Sequence, residues 1–475
     1  MTSNSKSSGL PAIAQSKLGT VDGGTTRKPS FAARKPEPAI NDAHRVERYF
    51  AVYALATAIV LLTLTEVPIP LALLMPFLLI FAIPKFAYSI EKWVFASIAL
   101  TVYDCIVGSI FVAATGTGVY KYAVYYSLRA LAISVVVLLA LRRASLQRIT
   151  FVIGLWAALQ LCGLIIQTKG YEPATLFPFD IYSVNLNQAI LDRPVNGRFR
   201  GFTAESGVVG GMASIFLVLV VLTGYLRTRI RSIKRIETML LAVTVMLLLS
   251  ILGMTLTKSG VFLLAATFLA LGAHAAFRQD WRTVFSAIRL SLVVGLGLFL
   301  LIYYSPTAQD YIEQEKVILM TSFENRGIEG VKDTGFGTRI AGIQLALLGV
   351  IDYPFGLGHE GLATFITKNV DRVETSIEMD EFSTSAWGPK CFGLDMLVWD
   401  GIPGFLLLIW MLALTVKPFG CAARHGFSSL SVALFIGLLS LSMAVEMLPF
   451  TGILSLVLCA GLALQREVAG EFQSA

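Results

Sequence analysis

Charge is scarce in this chain. Only 15% of its 475 residues are Asp, Glu, Lys or Arg, against about 25% in an ordinary soluble domain. A water-exposed globule of this length is excluded. Cysteine is scarce as well. Cys105, Cys162, Cys391, Cys421 and Cys459 are scattered with no Cys-x-x-Cys among them, which excludes a disulfide framework and a thiolate zinc site. No spacing of ligating residues appears, so neither metal nor cofactor is expected. The net charge of +7 is split among short segments, which removes nucleic acid as a partner. No internal repeat and no pair of Gly/Pro-interrupted spans in matching halves is visible, and transporters often show both.

What is abundant is apolar sequence: 55% of residues are hydrophobic and the mean hydropathy is +0.71. Runs of roughly 18–23 apolar residues recur, each long enough to cross about 30 Å of hydrocarbon. About twelve are read, at 49–66, 68–83, 94–113, 120–141, 149–167, 206–225, 238–256, 261–277, 285–304, 392–416, 430–448 and 451–464. The expected fold is an all-α integral membrane protein. Residues 1–48 read as a disordered basic tail, 49–305 as nine spans, 306–392 as a large extracytoplasmic loop with short helices, 393–465 as three spans and 466–475 as a second tail.

Lys and Arg set the orientation. Eight lie in the first 48 residues. Arg142, Arg143 and Arg148 share one loop, and Arg227, Arg229, Arg231, Lys234 and Arg235 share another of the same parity. Both termini are then cytoplasmic, and the loops 171–205 and 306–392 face outward. Within the spans, Asp104 and Arg129 fall at one depth about either side of Thr117, and a structural ion pair between them is expected.

The outward loops carry the chemistry. The first ends in Asn196-Gly197-Arg198-Phe199-Arg200-Gly201-Phe202-Thr203-Ala204-Glu205-Ser206-Gly207, where a span begins with its N-terminus outward. Free N–H groups and the helix dipole favour an anion there, and guanidinium suits phosphate oxygens. Arg198 and Arg200 equally suit lipid headgroups. Gly207, Gly210 and Gly211 let a ligand or a neighbouring helix come close. Lys258 opens another outward-starting span; it serves either as a second anion contact or as a snorkelling span end. The loop 306–392 holds 13 Asp or Glu against 7 Lys or Arg, so an anionic ligand needs a local cationic focus, and Arg339 is the candidate. The run 340–350 is helical in character but too short to span. Pro354, Gly356 and Gly358 then force a turn with close backbone approach. Asp352, His359 and Glu360 are near it, and a lone His at a turn is more often structural than catalytic.

These pieces resemble the O-antigen ligase and polymerase superfamily, membrane glycosyltransferases that use polyprenyl-diphosphate-linked glycans. Arg200-Gly201-Phe202-Thr203-Ala204-Glu205-Ser206 is similar to the Arg-Gly-Leu-Phe-x-Glu-Pro-Ser segment of exopolysaccharide polymerases, with Gly207 where that pattern continues differently. Arg200 and Gly211 fit an Arg-x10-Gly spacing. Thr255-Leu256-Thr257-Lys258-Ser259-Gly260 resembles Thr-x-Ser-Arg-Gly, with Lys258 for Arg. Gly337-Thr338-Arg339, the apolar helix and Pro354-Phe355-Gly356-Leu357-Gly358 resemble Gly-Arg, helix, Pro-x-Gly-x-Gly. The stretch 394–404 is similar to the family's re-entry into the membrane. Ligases of that family carry a His followed by Asn just before re-entry. Residues 387–393 here have neither, and His359 lies too early, which favours a polymerase over a ligase.

The resemblance implies a GT-C-like architecture in a bacterial inner membrane and an undecaprenyl-diphosphate-linked oligosaccharide as donor. A chain-length regulator and a flippase are implied partners beside membrane lipid. Arg200 and Arg339 would hold the donor diphosphate, with Arg198 and Lys258 assisting and Gly211, Gly356, Gly358 and His359 shaping the substrate site. Glu205 would orient or deprotonate the acceptor, or pair with Arg200. A ligase and a polytopic transporter or flippase are the alternatives.

Overall fold

The structure is a computed structural model. It describes residues 50–52, 54–59, 61, 88–115, 120–169, 201–202, 206–230, 234–255, 257–304, 335–358, 392–421, 428–443 and 447–470, with single positions between 309 and 372. Among them the chain is all helical. The helices are α1 (Phe50–Ile59), α2 (Tyr88–Thr115), α3 (Tyr120–Leu141), α4 (Leu146–Thr168), α5 (Ser206–Ile230), α6 (Arg235–Thr255), α7 (Lys258–Phe277), α8 (Trp281–Tyr304), α9 (Gly335–Asp352), α10 (Phe392–Trp399), α11 (Gly401–Cys421), α12 (Ser428–Ser442) and α13 (Met447–Val468). Eight are long and apolar enough to cross a membrane, in α2, α4, α5, α6, α7, α8, α11 and α13. The chain is a multi-pass helical membrane protein.

Three of the expected runs take a different form. The run 392–416 is two helices, because Gly401 adopts φ +62°, a conformation nearly closed to other residues. A hydropathy window cannot register a break of one residue. The run 430–448 yields only the 15-residue α12; Ser442 folds its hydroxyl back onto the Leu439 carbonyl and a turn follows at Met443. The last span is longer than expected, Phe450–Val468. The run 120–141 forms the 22-residue α3 with the expected bounds. The run 68–83 and the basic tail lie outside the described residues.

Within a bilayer every backbone group must be satisfied inside the protein, and the same pressure acts on buried hydroxyls. Thr101, Ser134, Thr150, Ser214, Thr255, Thr267 and Thr415 each donate to the carbonyl four residues back. This is the usual refuge for a hydroxyl without water.

The centre of the bundle is α5. In its spanning stretch 89% of residues are buried, against 18% for α8, so α8 lies at the rim. Specific contacts pair the helices. Gly154 of α4 faces Thr244 of α6, and Gly437 of α12 faces Thr267 of α7. Thr451 of α13 donates to the Ala130 carbonyl of α3 at 3.2 Å, and Arg466 donates to the Ala144 carbonyl at 3.1 Å, so α3 and α13 run parallel. Trp93 of α2 donates its indole N–H to the Thr415 hydroxyl of α11 at 2.9 Å. Thr415→Val should cost about 1 kcal/mol, the usual size of a polar contact between membrane helices. A lowered thermal midpoint in detergent checks this; adding Trp93→Phe should lower it little further.

One end of the bundle is sealed by buried ions. Arg227 of α5 donates Nε to Glu467 Oε2 of α13 at 3.0 Å, and its Nη2 lies 3.3 Å from Glu237 Oε2 of α6. At the same end His274 Nδ1 meets the Ser429 hydroxyl at 2.9 Å and Ser286 donates to the Tyr225 hydroxyl at 2.6 Å.

Candidate substrate-binding site

The opposite end is where α5, α7, α10 and α11 begin, and the glycine-bearing motifs collect there. Gly201 takes φ +60° and its N–H donates to Gln167 Oε1 of α4 at 2.8 Å. A Cβ at Gly201 would collide with the Gln160 amide, and the Phe202 ring fills the space left bare by Gly163. The residue after Arg200 is thus pinned to the last turns of α4. Arg198, Arg200 and Glu205 themselves lie outside the described residues.

The second motif meets the first. A Cβ on Gly210 of α5 would overlap the Thr257 side chain, and Gly260 of α7 leaves room for Ser214, whose hydroxyl would stand 2.7 Å from an added Cβ. Ser214 Oγ donates to the Gly210 carbonyl at 2.8 Å and reaches the Gly260 carbonyl at 3.0 Å. The first turns of α5 and α7 therefore touch. Thr257 occupies the N-cap position of α7 but makes no side-chain capping bond, so the N–H groups of that first turn are not met by their own cap. Gly207 has nothing within 4 Å of a built Cβ, whereas Gly211 is buried in the bundle. Lys258 starts α7; its side chain is outside the described residues.

The third motif fills the break between α10 and α11. Leu357 N–H donates to the Val398 carbonyl at 3.0 Å, and Ile402 N–H donates to the Pro354 carbonyl at 2.9 Å. Those two groups of the interrupted helix would otherwise be orphaned in an apolar interior. Gly356 at φ +93° and Gly358 at φ +69° make the fit possible. A Cβ on Gly356 would strike the Trp399 carbonyl, and one on Gly358 would strike the Gly108 backbone of α2. The bare faces of these two glycines are thus filled by the protein's own backbone. The Tyr103 hydroxyl locks the turn by donating to the Phe355 carbonyl at 2.9 Å. Arg339 lies in the first turns of α9, with its side chain outside the described residues, as is His359.

The start of α10 joins the two groups of motifs. Gly393 lies against Ser442 and Met443 at the end of α12, and α12 runs antiparallel to α7. The third motif therefore belongs to the end at which α5 and α7 open.

Two polar residues there were not read as a site. Arg372 Nη1 binds Asp352 Oδ2 at 2.9 Å and Asn369 Oδ1 at 2.8 Å, closing the end of α9. Asp400, in the helix break, is fully buried and its carboxyl contacts that of Asp104 on α2. The sequence paired Asp104 with Arg129, whose side chain is outside the described residues. The signal that identifies Asp400 is its place before a Gly in an otherwise apolar run.

A groove of about 520 Å³ lined by Trp410, Ala413, Leu414, Lys417, Gly420 and Ser431 lies between α11 and α12 towards the Arg227 end. None of the expected site residues lines it. No family model matches the chain, and no curated protein matches it.

Proposed function

We propose that this protein is a polysaccharide polymerase. It joins undecaprenyl-diphosphate-linked oligosaccharide repeat units at the outer face of a bacterial inner membrane, with twelve spans, cytoplasmic termini and the 306–392 segment outside. An acceptor hydroxyl oxygen attacks the anomeric carbon of the donor. The bond from that carbon to the diphosphate oxygen breaks, the diphosphate leaves with the electron pair, and the hydroxyl proton passes to Glu205 or to water. Arg200 and Arg339, assisted by Arg198 and Lys258, neutralise the leaving diphosphate, which is the electrostatic part of the catalysis. Arg339 stands at the start of a helix whose far end is fixed by the 354–358 turn.

The observation that supports this reading most is the meeting of the segments 200–211 and 257–260. Two helix N-termini stand side by side, Gly210 against Thr257, and the N-cap side chain of α7 does not cap it. Such a pair of ends is a ready anion site. The broken helix brings a transporter to mind, because unwound backbone there coordinates ions. Here Pro354 and Leu357 occupy the Ile402 N–H and the Val398 carbonyl, so these groups are taken by the protein.

Arg339→Ala in the native strain is the test. Polymer should fall about 100-fold or more, the scale of losing one transition-state donor. Single repeat units should accumulate on the lipid carrier while protein level and membrane insertion hold. Accumulation of long carrier-linked chains would mark a ligase, and polymer of normal length would overturn the assignment.

A further inference from the structure

The groove between α11 and α12 takes no part in the site described above. On α11, Trp410, Ala413 and Lys417 are exposed, while Met411, Leu412, Thr415 and Val416 are buried. A spacing of three and four makes one helix stripe, and this stripe is turned away from the bundle. Leu414 and Gly420 continue the wall, and Ser431 of α12 lines the groove with them. The Ser431 hydroxyl donates to the Val416 carbonyl at 2.9 Å, which pins the two helices at this end. Ala413 and Gly420 are too small to fill the space above that contact. Trp410 bounds the deep end, with the Phe95 ring of α2 edge-on to it at 6.5 Å between centroids.

The wall is apolar except at one place. Lys417 lies about 10 Å further along the helix than Trp410 and close to the end of the span Gly401–Gly420. Its ammonium therefore reaches headgroup level while its stem lies along the groove, and Trp410 sits at the level of acyl chains. Among the described residues no carboxylate lines the groove, and Lys417 takes part in no ion pair. Exposed Arg143, Lys234, Arg235, Arg278 and Arg282 stand at the same end of the bundle, whereas Glu237 and Glu467 are taken up by Arg227. The charge around the groove thus favours an anion.

An apolar trough with one cation at its water-side end matches a phospholipid in polarity along its whole length. A soluble anion would use Lys417 and leave the apolar wall bare. Basic pockets between membrane helices are a common place for anionic head groups. We propose that this groove binds one anionic phospholipid from the leaflet at the Arg227 end. The Lys417 ammonium holds its phosphate, and one acyl chain lies against Trp410, Ala413 and Leu414. Seated there, the lipid braces α11 against α12 beside the Ser431 contact.

Tryptophan quenching in nanodiscs, on the purified full-length protein, tests this. The share of Trp410 is the difference between wild type and Trp410→Phe. Phosphatidylglycerol brominated on its acyl chains should quench that share at a lower mole fraction than brominated phosphatidylcholine. Lys417→Gln should reduce the preference about fivefold, the effect of one Lys near an anionic surface. Lys234→Gln, at the same end but outside the groove, should leave it. In native mass spectrometry the wild type should retain one phosphatidylglycerol, and Ala413→Leu, which fills the trough, should lose it. All three substituted positions are exposed, so the variants keep the fold. Equal quenching by the two lipids, or a preference unchanged in Lys417→Gln, would overturn the proposal. So would release of the lipid by inorganic phosphate, or a dimer mass in place of bound lipid.

Discussion

Gly358→Val is expected to prevent the turn at 354–358 from seating. The residue has φ +69°, and a β-branched side chain in that region costs about 1–3 kcal/mol in backbone strain. The new Cβ also meets the Gly108 backbone of α2, whose amide nitrogen would be only 2.8 Å away. Backbone cannot rotate aside as a side chain can, and overpacking adds about 1–3 kcal/mol more. The combined loss of about 2–6 kcal/mol should appear as a lower thermal midpoint and as aggregated protein in size-exclusion chromatography. Gly207→Ala is the control. Nothing lies within 4 Å of its added Cβ, and in a helix the change removes up to about 1 kcal/mol of glycine penalty, so stability should hold or rise. Equal loss in both variants would show that the turn has no special place in the fold.

Arg227→Met should weaken the other end of the bundle by about 3–5 kcal/mol, the usual result of removing one partner from a buried ion cluster. Glu237 and Glu467 share this guanidinium, and all three side chains are at most 6% exposed. Without it two buried carboxylates keep their negative charge and lose the cation between them. Combining Arg227→Met with Glu237→Gln and Glu467→Gln should restore most of the loss, since the burden is the uncompensated charge. Denaturation midpoints of the single and triple variants decide it. A triple variant as weak as the single one would show that packing of the arginine stem, and not charge, holds α5, α6 and α13 together.

Apolar runs made the spans legible, because length and hydropathy are what a bilayer selects. The short helix before Pro354 and the close approach at Gly356 and Gly358 were legible too, from glycine and proline chemistry. The one-residue break at Asp400 was not, because the residues on both sides of it are apolar and hydropathy averages over them. Nor was the contact of Asp400 with Asp104, because Asp400 lies far away in sequence and meets Asp104 only once α2 packs on α11. The glycine at 210 was read as open to ligand or helix, and helix is the answer, since Thr257 fills the space. The charged members of the motifs, Arg198, Arg200 and Glu205, were legible only as a pattern of charge beside a helix start.

The bond from Trp93 to Thr415 spans 322 residues, and the one from Arg466 back to Ala144 spans the same number. The earliest of these helices therefore find their neighbours among the last to be made. At about 5–20 residues per second of synthesis, roughly 16–64 s separate the emergence of the two members of each bond. For that interval the Trp93 indole and the Ala144 carbonyl wait with their mates not yet translated. Biogenesis of this protein accordingly calls for an insertase or chaperone that shelters α2 and α3 until α11 and α13 have been made.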